Sequence, residues 1–404
     1  MCGEKVRTDK SGRGLQGPKY QLAQVFKRYL GDYLREHKLS RLQRRVVEAI
    51  MACRTRALGA HLLKCRHCGY EHPAYNPCGN RHCPRCQIGA RLKWVRQRLS
   101  ELLPIPYYHC IFTMPHCLNR LALYNKAVIY EMFFQSAIYT LNSFAQDPVH
   151  LGAQLGFVGI LHTWGQRLNY HVHLHFMVTG GGISTDGKRW VKLPYTRKFI
   201  FPVKAMSQVM RQRFARLLEA AYDCGKLQFP EPVAHLAEAQ AFEEFVNKVA
   251  WKNWVIFAKP PFAGPDEVVK YIGRYTHQVA ISNYRLLNLD DGKVTFRYKH
   301  YKDNTVTIKE MVLEAEKFIG RFLMHVIPGG FKRIRHGGFL AAGCRTRMLA
   351  LAHKLLSEMA ANVEEAKSNF EAWLDKLNFL RCPKCQLGAL YLVDYIPREQ
   401  LAPG

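Results

Sequence analysis

The 404-residue sequence predicts an α+β protein: an antiparallel-sheet domain between a helical, cysteine-rich N-terminal region and a helical, basic C-terminal region. Three observations carry that expectation. Residues 171–178, His-Val-His-Leu-His-Phe-Met-Val, set imidazoles and apolar side chains on alternate positions, the period of a strand with one buried face. Residues 21–58 instead repeat their apolar side chains at helical spacing. Between these stretches lie two Cys-x2-Cys pairs, Cys65/Cys68 and Cys83/Cys86.

Residues 1–19 read as a basic flexible arm. In the region 20–104, Leu22, Val25, Phe26, Tyr29, Leu30 and Tyr33 mark one helix, and Leu42, Val46, Val47, Ile50 and Met51 a second. Arg41, Arg44 and Arg45 form a basic outer face on this pair. The two cysteine pairs, fourteen residues apart, offer four thiolates to one structural zinc ribbon. Asn76-Pro77 and Gly79-Asn80 supply turns for the tight hairpin this needs, and Cys78, His67 and His82 are surplus donors in the same loop. Arg81 and Arg85 beside the second pair are expected phosphate contacts, which makes 20–104 a candidate DNA-binding domain. A basic helix over 88–104 closes it at Pro104.

The central domain is expected over 105–309. Residues 107–113 and 156–164 are rich in β-branched and aromatic side chains, and the short 165–169 connection joins the second of these strands to the histidine strand as an antiparallel hairpin. Gly180-Gly181-Gly182 is expected to end that strand and admit another backbone closely. Residues 118–144 read as a helix, 183–200 as irregular strand, 205–222 and 236–252 as helices within an insertion spanning about 203–252, and 254–258 as a strand. After a Pro- and Gly-rich loop, Pro265 opens a helix reaching about Thr276. Tyr271 and Tyr275 stand at i and i+4 on it and share one face, with Lys270 and Arg274 beside them. The region 310–404 reads as helical and basic; its Cys382-x2-Cys385, with no second pair after it, either binds metal with distant cysteines such as Cys344 or is a knuckle-like turn, the favoured reading.

Composition limits the partner class. Lys and Arg outnumber Asp and Glu 59 to 31, a net charge of +28, which favours a polyanion such as nucleic acid. No apolar run approaches the ~18 residues of a spanning helix, and residues 1–20 carry no signal-peptide core, so no membrane partner is expected. Thirteen cysteines without an export signal suit a reducing cytoplasm, where paired spacings mean metal.

Taken together, the cysteine ribbon, residues 163–175 (TWGQRLNYHVHLH) and residues 271–283 (YIGRYTHQVAISN) resemble the two-tyrosine rolling-circle transposases of bacterial insertion sequences, a family of HUH (histidine–hydrophobic–histidine) endonucleases. The likeness extends to residues 296–299, 318–325 and 331–339 and so covers most of 60–345. It implies a ferredoxin-like domain, a catalytic divalent metal (Mg²⁺ or Mn²⁺) held by His173 and His175, and a covalent protein–DNA intermediate formed by Tyr271 or Tyr275. It also implies a bacterial, nucleoid-associated protein acting on single-stranded or hairpin-bearing element ends, with host replication factors as candidate partners. Position 172 is Val where the family often has Pro; His171, Gln278 and Glu267 are the candidates for a third metal ligand. Two other readings share part of this pattern: an HUH replication initiator or relaxase, and a non-catalytic zinc-ribbon DNA-binding regulator, which would need neither tyrosine.

Overall fold

The computed structural model describes residues 17–99, 101–193, 200–259, 276, 278–303, 305–357 and 381–398, with two-residue strands at Arg7–Thr8 and Gly14–Leu15. Helices α1 (Leu22–Glu36) and α2 (Arg41–Ala52) form the expected pair. Ser40 sets the start of α2 through a capping box: its hydroxyl accepts from the Gln43 amide N–H, and the Gln43 side chain accepts from the Ser40 N–H. A hairpin follows, β1 (Ala60–Cys65) and β2 (Glu71–Tyr75), and then α3 (Gln87–Leu99).

The sheet domain runs β3 (Tyr107–Thr113), α4 (Asn119–Tyr124), α5 (Lys126–Gln146), β4 (Ala153–Trp164), β5 (Tyr170–Ser184), the short β6 (Trp190–Lys192), α6 (Val203–Asp223), α7 (Ala239–Trp251) and β7 (Val255–Lys259). Its strands lie in the order β4-β5-β3-β7, and each neighbouring pair is antiparallel. With α5 and α6 as the two crossovers this is the ferredoxin-like arrangement. Residues 203–252 are therefore not an insertion, because α6 supplies the second crossover and packs beside α5 on the sheet.

Strand alternation decides which face is which. Val172, Leu174, Phe176 and Val178 of β5 join Tyr108, Cys110 and Phe112 of β3 beneath the helices. Phe176 sits among Phe112, Phe134 and Phe157 with ring centroids 5.5, 6.4 and 5.7 Å away. A ring buried this fully contributes roughly 1.5–3 kcal/mol. The histidines take the opposite face.

The glycine run departs from expectation. β5 continues through Gly180, Gly181 and Gly182 to Ser184. The backbone they admit is the protein's own: a Cβ at Gly180 would meet the Pro106 carbonyl at 2.7 Å, and one at Gly182 the Gln154 carbonyl at 2.4 Å.

Beyond the sheet, β8 (Leu286–Asn288), β9 (Lys293–Lys302) and β10 (Thr305–Glu314) form a second sheet, followed by α8 (Ala315–Met324). Phe296, Phe318 and Phe322 pack with Phe26, Val47 and Ile50, so α1 and α2 share one core with residues from the far end of the chain. The region expected to be helical also holds strands. β11 (Ile334–Gly338) adds to the outer edge of β4, with α9 (Arg345–Leu355) after it, and β12 (Leu390–Ile396) pairs with β1. Arg335 pins β11 to α5 by a two-pronged pair with Glu131 (2.8 and 2.5 Å) while stacking on Phe134. No helix among the described residues is long and apolar enough to cross a membrane.

Candidate active site

The face of the sheet turned away from α5 carries a row of imidazoles. His173 and His175 lie on β5; His162, on β4, pairs directly across from His173. One nitrogen from each of these three rings lies within 4.8 Å of the other two. The Nδ1–H of His173 donates to the His171 carbonyl at 3.0 Å, which leaves Nε2 as its ligand atom. His175 Nδ1 is hydrogen-bonded to His109 Nε2 at 2.9 Å, the outer contact that orients a metal-binding imidazole. Burial pushes His173 down to about 4. His175 is held well below the usual imidazole range by burial first, and then by the repulsion that Lys259 exerts and that His162, His173 and His109 would exert if protonated. Both rings are thus neutral at neutral pH, the state that binds metal. The donor set fits a divalent cation.

The third member of this cluster is His162, not His171. His171 stands on the same strand face but turns to His116, with ring nitrogens 3.3 Å apart. The sequence shows the short turn after Trp164 that brings β4 back against the histidine strand, but not the register that sets His162 opposite His173. His109 was likewise missed, on a strand recognised only by its apolar content.

A cleft of about 740 Å³ opens over the three histidines. Its far wall is β9, through Arg297, Tyr298, Lys299 and Tyr301, with Gln278 and Tyr284 also lining it. Tyr284 and Tyr301 are exposed, and Arg167 lies over the Tyr298 ring at 5.2 Å. Arg285 acts as a clamp, donating to the carbonyls of Arg297 (2.7 Å) and Gln166 and so tying this wall to the turn between β4 and β5. Tyr271, Tyr275, Lys270, Arg274 and Glu267 lie outside the described residues. The residues that follow the tyrosines are held firmly: buried Arg333 donates to the carbonyls of Thr276 (2.8 Å) and Gln278 (3.1 Å).

The expected four-cysteine ribbon is not formed. Its members are divided between two clusters, Cys53/Cys78/Cys83/Cys86 and Cys65/Cys68/Cys382/Cys385, each with sulfurs within 4.8 Å of one another. The reason is the β1–β2 hairpin. Cys65 and Cys68 sit at its tip, and Cys78 to Cys86 follow its base, so the two pairs stand a strand length apart, roughly 17 Å. At the base, Cys86 Sγ lies 3.5 Å from both Cys53 and Cys78. Arg85 donates to the Cys53 carbonyl at 3.0 Å and Arg81 to the Phe331 carbonyl at 2.7 Å, so both are anchored at the edge of this cluster. Cys382 and Cys385 complete the second cluster, so the turn favoured for them gives way to the alternative of distant cysteine partners, which are Cys65 and Cys68 rather than Cys344.

A family model described as "Putative transposase" matches residues 156–347, and one described as "Transposase zinc-binding domain" matches residues 25–114. The "Putative transposase y4qJ" of Sinorhizobium fredii (strain NBRC 101917 / NGR234) is 43% identical over 380 residues, 93% of this chain and 95% of the relative. The "Transposase for insertion sequence element IS801" of Pseudomonas savastanoi pv. phaseolicola is 27% identical over 313 residues, 76% of this chain and 72% of the relative. No solved structure matches.

Proposed function

Because the chain belongs to this transposase family, with its zinc-binding domain, we propose that it nicks and rejoins single-stranded ends of a mobile element through a 5′-phosphotyrosine intermediate, as a rolling-circle HUH enzyme. The observation that carries this reading is the cluster of three histidines at the floor of a basic, aromatic-walled cleft. His162, His173 and His175 would hold a divalent ion, Mg²⁺ or Mn²⁺; of the two, Mg²⁺ has the stronger preference for oxygen ligands. Bound there, the ion supplies Lewis acidity to the scissile phosphate.

The rest is done by the chain's own side chains. The hydroxyl oxygen of Tyr271 or Tyr275 attacks phosphorus, and the bond from phosphorus to the 3′ oxygen breaks. A tyrosine ester of the 5′ phosphate and a free 3′ hydroxyl result, with the phenolic proton passing in net to the 3′ oxygen. The ester conserves the bond energy, so attack by a 3′ hydroxyl reverses the step and rejoins strands without a nucleotide cofactor. The second tyrosine allows a second strand to be held before the first is released. Thr276 and Gln278 support a placement of the pair at the cleft, since they follow it directly in sequence and Gln278 lines the cavity.

Residues 20–104 and 105–309 are assigned to DNA binding and to catalysis respectively. Structural zinc is assigned to Cys53, Cys78, Cys83 and Cys86. DNA contacts from Arg81, Arg85, Lys270 and Arg274 belong to the same reading, as does the β9 wall. Tyr298 and Tyr301 offer stacking faces to unpaired bases, beside Arg297 and Lys299 for phosphates. Tyr298→Ala with Tyr301→Ala is expected to weaken single-strand binding by about 1–3 kcal/mol per lost stack while leaving the fold intact. Fluorescence anisotropy against single-stranded and duplex oligonucleotides reads this, and an equal loss on both forms would count against stacking.

The whole proposal is tested by incubating the protein with labelled single-stranded element ends and Mg²⁺ or Mn²⁺. Chelator-sensitive cleavage with retention of one product on the protein is expected; cleavage indifferent to chelator, or none on any end sequence, would refute it.

A further inference from the structure

We propose that Cys65, Cys68, Cys382 and Cys385 bind a second structural zinc ion, through which the C-terminal segment completes a zinc ribbon with the N-terminal hairpin. Geometry argues for it first. Cys65 Sγ lies 3.7 Å from Cys385 Sγ, and Cys68 Sγ lies 3.7 Å from Cys382 Sγ. Sulfurs about 2.3 Å from a tetrahedral zinc stand about 3.8 Å apart, whereas a disulfide would bring them to about 2.05 Å. The separations are those of a metal site.

The backbone around the two pairs is built alike. In each, the residue after the second cysteine takes a left-handed conformation, Gly69 at φ 67° and Gln386 at φ 59°. In each, that residue's N–H donates to the carbonyl of the first cysteine, Gly69 to Cys65 at 3.1 Å and Gln386 to Cys382 at 3.0 Å. Each also aims an amide at a sulfur, from His67 to Cys65 and from Gly388 to Cys385, both at 3.4 Å. These are two matching knuckles, 314 residues apart in sequence between Cys68 and Cys382. A Cβ at Gly388 would meet Cys65 Sγ at 2.5 Å, so the closeness of the two knuckles depends on that glycine.

Energetics supply the second argument. β12 pairs with β1 from Leu390 opposite Cys65 to Ile396 opposite Ala60, making the three-stranded sheet β12-β1-β2. Its buried cluster consists of Cys65, Cys382 and Leu390, with Leu63, Tyr70 and Cys385 partly covered. From Tyr391 to Ile396 every residue of β12 is exposed. So small a core cannot hold an added strand unaided, and scaffolds of this kind rest on a metal. The zinc-binding family match ends at residue 114 and includes neither Cys382 nor Cys385.

The test is the zinc content of the purified full-length protein, in the His173→Ala/His175→Ala background so that the histidine cluster does not contribute. About two tightly held zinc ions per chain are expected. Cys382→Ser with Cys385→Ser should lower that by one and expose the segment after residue 381 to limited proteolysis. Cys78→Ser with Cys83→Ser should remove the other, and Cys224→Ser should remove none. Cobalt reconstitution gives an independent readout: the Cys382/Cys385 variant should lose half of the thiolate-to-cobalt charge-transfer absorbance. Unchanged zinc and cobalt spectra in that variant would overturn the proposal, as would one zinc per chain in the parent.

Discussion

Replacing both His173 and His175 by alanine is expected to abolish metal-dependent strand cleavage while DNA affinity stays within roughly threefold of the parent. The two effects separate because they have different sources. Affinity comes from the dispersed Lys and Arg that give the chain its charge of +28. Cleavage depends on charge stabilisation at one phosphate, a contribution of several kcal/mol, and hence a loss of roughly 10³-fold or more. His162→Ala should behave as a member of the same cluster, which no reading based on His171 would anticipate. His109→Ala removes the contact that orients His175 without removing a member of the cluster, so its loss should be intermediate, about 10–100-fold. Manganese affinity measured by electron paramagnetic resonance should follow the same order. Full cleavage by the double variant would dissociate the cluster from catalysis.

Tyr271→Phe with Tyr275→Phe should form no covalent DNA adduct, because phenylalanine differs from tyrosine only in lacking the hydroxyl that would attack. The single variants should differ from each other. Each retains one candidate nucleophile, so nicking should survive in one of them, while coupled transfer of two strands fails in at least one. Denaturing gels with end-labelled oligonucleotides separate nicking from adduct formation.

What could be read in the sequence followed the range of the physical signal. The alternation through residues 171–178 was legible because strand period two is a local property. It placed His173 and His175 on one face and Val172, Leu174 and Phe176 on the other, and the structure keeps both sets. His162 needed cross-strand register, and the ladder shifts between His162 and Trp164 next to the turn. The division of the cysteines was harder still. Cys65-x2-Cys68 looks the same whether its partners are near or far, and only the length of the β1–β2 hairpin separates it from Cys83 and Cys86. The glycine run at 180–182 marked close backbone approach correctly, but composition does not say whose backbone approaches. β9 had no place among the expected strands, and the role of Tyr298 and Tyr301 as a cleft wall depends on a fold that brings Lys299 back across 133 residues of chain to Gln166.

Whether a tyrosine of the 271–275 stretch becomes joined to DNA is read most directly by mass mapping of the DNA-linked peptide. The parent protein would be incubated with single-stranded element ends and Mn²⁺, digested with protease and nuclease, and its nucleotide-bearing peptide sequenced. A 5′-phosphate ester on Tyr271 or Tyr275 is expected. A nucleotide on any other residue, or cleavage with no linked peptide, would contradict it.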